Sequence, residues 1–103
     1  MSNTRLETLK SLSEQNPQDS FLRYGLAMEY RNSGDLQSAM QEFQALMDAN
    51  PDYCATYFHY GQTLERMGRR DEARSVYEKG IEATTRKGDL HAKSELQGAL
   101  DLL

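Results

Sequence analysis

Only one of the 103 residues is a cysteine, Cys54, so no disulfide can close within the chain, and a reducing compartment suits it. No apolar run approaches the roughly 20 residues that a membrane-spanning helix needs. The N-terminus, MSNTRLETLK, lacks the continuous apolar core of a secretory signal and reads as native sequence. A cytoplasmic protein without a membrane partner is therefore expected. Histidines are scarce too: His59 and His91 are the only two, and neither has a partner at metal-ligand spacing. Both read as exposed helical side chains. Cys54 and His59 stand five residues apart, more than one helical turn, which turns them away from each other as nucleophile and base. The glycines form no phosphate-binding loop. With no catalytic set, metal site or cofactor site in view, an enzyme is not expected.

Basic residues are in deficit as well. Twelve Lys and Arg against 16 Asp and Glu leave a net charge of −4, which argues against a nucleic-acid partner. The length supports one core and one domain. A mean hydropathy of −0.80 is polar, as suits thin helical layers with much surface.

What the chain does contain is a period. From Pro17 to Pro51 it runs PQDSFLRYGLAMEYRNSGDLQSAMQEFQALMDANP, and much of this recurs after 34 residues. Ala27 and Gly61 (61 − 27) keep the step, as do Gly34 and Gly68, Ala39 and Ala73, and Phe43 and Tyr77. Leu26 with Tyr60 and Tyr30 with Leu64 keep it too. A fixed period of about 34 residues with a helix–turn–helix pattern marks one kind of repeat protein.

Arg23-x-x-Leu26-Ala27-x-x-Tyr30, Ala39-x-x-x-Phe43 and Pro51 make one unit; Tyr57-x-x-Tyr60-Gly61-x-x-Leu64 and Ala73-x-x-x-Tyr77 make a second. On these residues the chain resembles the tetratricopeptide repeat family, whose pattern is Trp-x-x-Leu-Gly-x-x-Tyr, then Ala-x-x-x-Phe, then Pro. Arg23 replaces the leading aromatic, which weakens an outer contact. Thr85 stands where the second closing proline would fall, so either the last turn is looser or the array ends there. The expected fold is all-α, a solenoid of antiparallel helix pairs with about six helices.

Its expected parts are an N-terminal half unit (1–16), two full repeats (17–50 and 51–87) and a capping helix (88–103). Leu6, Leu9 and Leu12 at helical spacing predict a first helix over 3–15 that covers the first repeat; a free-standing amphipathic arm is the alternative. The second helix is predicted over 19–32, the third over 36–49, the fourth over 53–67 with Pro51 at its start, and the fifth over 70–84. Gly34 suits the left-handed position after a helix, and Asp35 suits a cap. Gly80 reads as room for a neighbouring helix. Gly61, sharing a close-approach slot with Ala27, is expected to accept alanine but not bulk. The arginines 66, 69, 70 and 74 interleave with Glu65, Asp71, Glu72 and Glu78, which favours pairs along the helix over an anion site.

The resemblance implies that the first helix of each pair lines a concave groove receiving a peptide or helix of another protein. The 34-residue step then assigns to the free face Phe21, Tyr24, Met28 and Arg31, then Ala55, Phe58, Gln62 and Glu65, then Asp89, Ala92, Leu96 and Ala99. The groove residues proper are taken as Phe21, Tyr24, Met28, Arg31, Phe58, Gln62, Glu65 and Leu96. Lysine, asparagine and arginine, which in some family members grip a terminal carboxylate, are absent from the places held by Tyr24, Met28, Phe58 and Gln62. Aromatic and methionine side chains suit apolar partner groups instead. Two rivals stand beside this reading: Tyr24 and Phe58 as plain packing, and a homodimer through apolar faces or the C-terminal leucines.

Overall fold

A computed structural model describes residues 3–103, so Met1 and Ser2 of the 1–16 segment lie outside the described residues. Six helices follow in order: α1 (Thr4–Gln15), α2 (Ser20–Asn32), α3 (Leu36–Ala49), α4 (Ala55–Arg66), α5 (Arg70–Lys87) and α6 (Leu90–Asp101). Among the described residues there is no strand.

The helix ends are set by local chemistry. The carboxylates of Asp19, Asp35 and Asp89 accept the backbone N–H groups of Leu22, Ser38 and Ala92, each at 3.1 Å, satisfying donors that a helix start leaves free. The two Asn-Pro steps build the same turn 34 residues apart. Asn16 and Asn50 are pushed out of the helical region, as the residue before proline must be. The N–H of Asp19 then bonds the Asn16 carbonyl at 3.0 Å, and that of Tyr53 the Asn50 carbonyl at 3.1 Å. This turn uses Pro51 and Asp52 as its corner, so α4 begins at Ala55, two residues later than the sequence predicts. Gly34 (φ 86°) and Gly68 (φ 79°) close α2 and α4 in the left-handed conformation.

Turns of two to five residues join the helices, so consecutive helices pack side by side and antiparallel. α1 lies on α2 rather than standing free: Leu9 packs beside Gly25, and Arg5 reaches Glu29 at 3.1 Å. The pairs α2–α3 and α4–α5 follow, with α6 against α5. α2 also approaches α4, and α4 approaches α6, whereas the backbones of α1, α3 and α5 stand farther from one another. Even-numbered helices gather on one side, odd-numbered helices splay on the other, and the stack is concave toward α2, α4 and α6.

The core is continuous along the stack, from Ala27 and Phe43 through Tyr57, Tyr60, Leu64 and Tyr77 to Leu96. Phe43 and Tyr60 stack at 5.9 Å across two layers. Tyr77 is fully buried, and its hydroxyl donates to the Glu65 carboxylate. Tyr77→Phe should therefore cost about 1.5 kcal/mol in urea unfolding, the net worth of a hydrogen bond to a charged group; exposed Glu65 can recover water. An unchanged midpoint would show that the bond contributes nothing.

Two expectations about glycine separate here. Gly80 does provide room: a Cβ there would lie 2.5 Å from Tyr57 Cβ and 2.9 Å from Leu96 Cδ1. Gly61 does not accept alanine, contrary to expectation. Its Cβ would meet the Tyr77 ring, 2.6 Å from Cζ, 2.7 Å from Cδ1 and closer still to Cε1. In the second pair the tyrosine ring occupies the volume that the methyl of Ala27 takes in the first.

The 34-residue step fails in α6. α5 continues three residues past Thr84, since no proline interrupts it; the hydroxyls of Thr84 and Thr85 turn back onto the carbonyls of Gly80 (2.9 Å) and Ile81 (2.6 Å). Gly88 (φ 69°) ends it, and Asp89 alone completes the turn. The inward-turned residues of α6 are Ala92, Lys93, Leu96, Ala99 and Leu100. These stand 36 residues (96 − 60) after Thr56, Tyr57, Tyr60, Thr63 and Leu64.

Candidate groove on the inner face

The two-residue shift moves one of the expected groove residues. Leu96, taken as a counterpart of Met28 and Gln62, is 1% exposed and fills the packing slot of Leu26 and Tyr60, while still edging the first cavity described below. Met28 also packs against the core, and Phe21, 70% exposed, lies away from the cavities described below. Tyr24, Arg31, Phe58, Gln62 and Glu65 do come together on the inner face, with Ala55, Asp89, Ala92 and Ala99 beside them.

Three neighbouring cavities share walls there. The first, about 260 Å³, lies between Tyr24, Phe58 and His59 on one side and Asp89, His91 and Glu95 on the other. Phe58 and Glu95 also border the second, about 400 Å³, whose walls are otherwise Gln62, Glu65, Ala99 and Leu102. Gln62 and Glu65 lead on to the third, about 250 Å³, with Arg31 and Arg66. Phe58 stands at the junction of the two larger spaces.

Packing fixes the aromatic wall. Tyr24 lies 6.5 Å from Phe43, 6.0 Å from Tyr53 and 5.9 Å from His59, ring centre to ring centre. Phe58 meets His59 edge-on at 5.5 Å. His59 is thus half-buried rather than exposed as expected; His91 is exposed and sits 3.4 Å from Glu95. Burial, aided by the Arg31 charge, lowers the His59 pKa below the ordinary histidine value, and its buried Nδ1 has no partner among the described residues. Cys54 and His59 do border one cavity, because Cys54 precedes α4 instead of lying on it. Burial pushes the Cys54 thiol up, away from the reactive thiolate. Among the described residues no group of three His, Cys, Asp or Glu is placed to hold a metal ion.

Sequence reasoning missed His59, His91, Glu95 and Leu102. The last three follow a stripe at i, i+4 and i+11, one face of a helix; a 36-residue step from Ala55 reaches His91, and helical spacing from there reaches Glu95 and Leu102. Of the interleaved charges around the α4–α5 turn, Arg69 pairs with Glu72 at 3.8 Å and also reaches Met40 Sδ at 2.9 Å.

Helix pairs stacked into a curved array with a lined inner face define a helical-repeat solenoid. A family model described as tetratricopeptide repeat matches residues 30–100, and the chain belongs to that family. A tetratricopeptide repeat domain protein of Salinibacter ruber, solved by NMR, is 39% identical with a TM-score of 0.78, covering 82% of this chain and 85% of that one. A repeat-containing protein of Pseudomonas aeruginosa is 26% identical over 91 residues, 88% of this chain and 87% of its own. PcrH, solved in complex with the chaperone binding region of PopD, shares the fold at TM-score 0.87 and 14% identity, over 94% of this chain and 74% of that one. No described helix is long and apolar enough to cross a membrane.

Proposed function

We propose that the chain is a non-catalytic, cytoplasmic interaction module that docks a peptide or helical segment of another protein along α2, α4 and α6. The observation that carries this reading is the row of three neighbouring cavities, two of them bordered by Phe58, walled by side chains of all three inner helices. Stacked repeats present such extended concave surfaces, and a neighbour of the same fold holds a region of another protein. Residues 17–50 and 51–87 serve as the two full repeats, with 1–16 and 88–103 closing the ends.

A photo-crosslinking residue at position 58 should capture a partner in cells, while one at Glu78, exposed on α5, should not. Phe58→Ala should then weaken the purified complex about 30-fold, an aromatic anchor being worth about 2 kcal/mol. Because Phe58 also touches the core, its urea midpoint is measured alongside, and Ala55→Arg provides a second variant that blocks the groove from an exposed position. Equal capture from Glu78, or full affinity in both folded variants, would refute the reading. A dimer broken by Leu102→Glu would favour self-association instead; Leu102 is 90% exposed.

A further inference from the structure

Resting on that docking reading, we infer that the groove takes a segment in which an apolar side chain stands next to a lysine or arginine. The apolar group enters the space between Phe58, Ala99 and Leu102, and the cation lies between Glu65 and Glu95.

The cavity of about 400 Å³ has Phe58, Ala99 and Leu102 as its apolar walls, and Leu102 is almost fully exposed there. An unfilled space of this size accepts a leucine- or phenylalanine-sized side chain. Its polar walls are Gln62 and two carboxylates, Glu65 from α4 and Glu95 from α6. Among the described residues neither carboxylate is paired with a lysine or arginine: Glu65 accepts the Tyr77 hydroxyl, and Glu95 sits 3.4 Å from His91 and shares a cavity with His59. Asp89 adds a third acid on the same side, through the cavity that Glu95 shares. Beyond Glu65 the sign changes, for Arg31 and Arg66 border the third cavity. Like-charge repulsion keeps the partner's cation away from them and holds it on the α6 side. An acidic segment would have to set its carboxylates against Glu65 and Glu95, and a wholly apolar one would strip water from two unpaired charges.

Random peptides of about a dozen residues, displayed on phage, are selected against the wild-type protein, and the winners are measured by fluorescence anisotropy. The selected sequences should carry Lys or Arg beside Leu, Met or an aromatic. Their affinity for the wild type should fall with added salt, and it should fall about tenfold and become less salt-sensitive in Glu65→Gln/Glu95→Gln, where the amide oxygen at position 65 still accepts from Tyr77. The matched variant Glu78→Gln/Glu82→Gln, on the exposed side of α5, removes the same net charge and should change affinity less than about twofold. Enrichment in Asp or Glu, or equal loss in both double variants, would overturn the basic partner; sensitivity to Ala55→Arg would then leave the groove itself standing. No enrichment, or binding indifferent to Ala55→Arg, would overturn the inference together with the docking reading.

Discussion

Gly80→Ala is expected to lower the unfolding free energy by about 2–3 kcal/mol, although alanine is the better helix former by about 1 kcal/mol. The added methyl would stand 2.5 Å from Tyr57 Cβ. Both carbons are fixed to their backbones, so no rotamer relieves the overlap, and α4 and α5 must part by about 1 Å to reach ordinary carbon contact. Such a shift loosens Tyr57 and Leu96 together. For a domain of this size the melting temperature should fall by roughly 10–20 °C. Gly98→Ala is the internal control. A Cβ there meets nothing within 4 Å, so the propensity gain should appear alone, as about 1 kcal/mol of added stability. Urea midpoints that move alike in the two variants would show that the α4–α5 approach is not tight.

The second large effect is alkaline unfolding. Burial raises the pKa of Tyr24, Tyr53, Tyr57, Tyr60 and Tyr77 above the ordinary value of 10.0. Tyr77 moves furthest: it is buried, it donates to Glu65, and its phenolate would face that carboxylate. In the unfolded chain these phenols ionise near their ordinary value, while in the folded chain they keep their protons. Above about pH 10 the folded state therefore binds more protons than the unfolded one, and stability falls as pH rises. The five contributions have the same sign, so helix content should collapse cooperatively in that range. Tyrosinate absorbance should rise in the same step as far-UV dichroism is lost. Gradual ionisation with helix intact would refute the burial of these phenols. At the acid side His59 acts in the opposite sense: its lowered pKa removes stability as pH falls through 6.5.

Much of the scaffold was legible because packing slots leave a periodic trace. Leu26 with Tyr60, and Ala39 with Ala73, are buried alike, and the bounds of α3 follow from Asp35 at one end and Asn50-Pro51 at the other. The inner face was legible wherever the same step held, which is why Tyr24, Phe58, Gln62 and Glu65 meet as expected. It failed where turn chemistry changed. An Asn-Pro turn and a Gly-Asp turn spend different numbers of residues between helices, and two residues rotate a helix face by more than half a turn. By that difference Leu96 turns into the packing and keeps only an edge on the first cavity, while His91, 36 residues after Ala55, reaches the inner face. The Gly61 expectation failed for another reason. A shared slot does not reveal how far the ring at Tyr77 leans into it.

The splaying of α1, α3 and α5 makes the array mechanically one-sided. On the inner side α2, α4 and α6 already touch, so further curling meets hard repulsion between packed side chains. On the outer side the helices stand apart, leaving room for them to approach as the stack straightens. Flattening would part only the sparse inner approaches of α2, α4 and α6, so the array is expected to resist pinching more than flattening. A bulky occupant of the proposed groove would therefore be accommodated by the whole superhelix opening like a bent leaf spring.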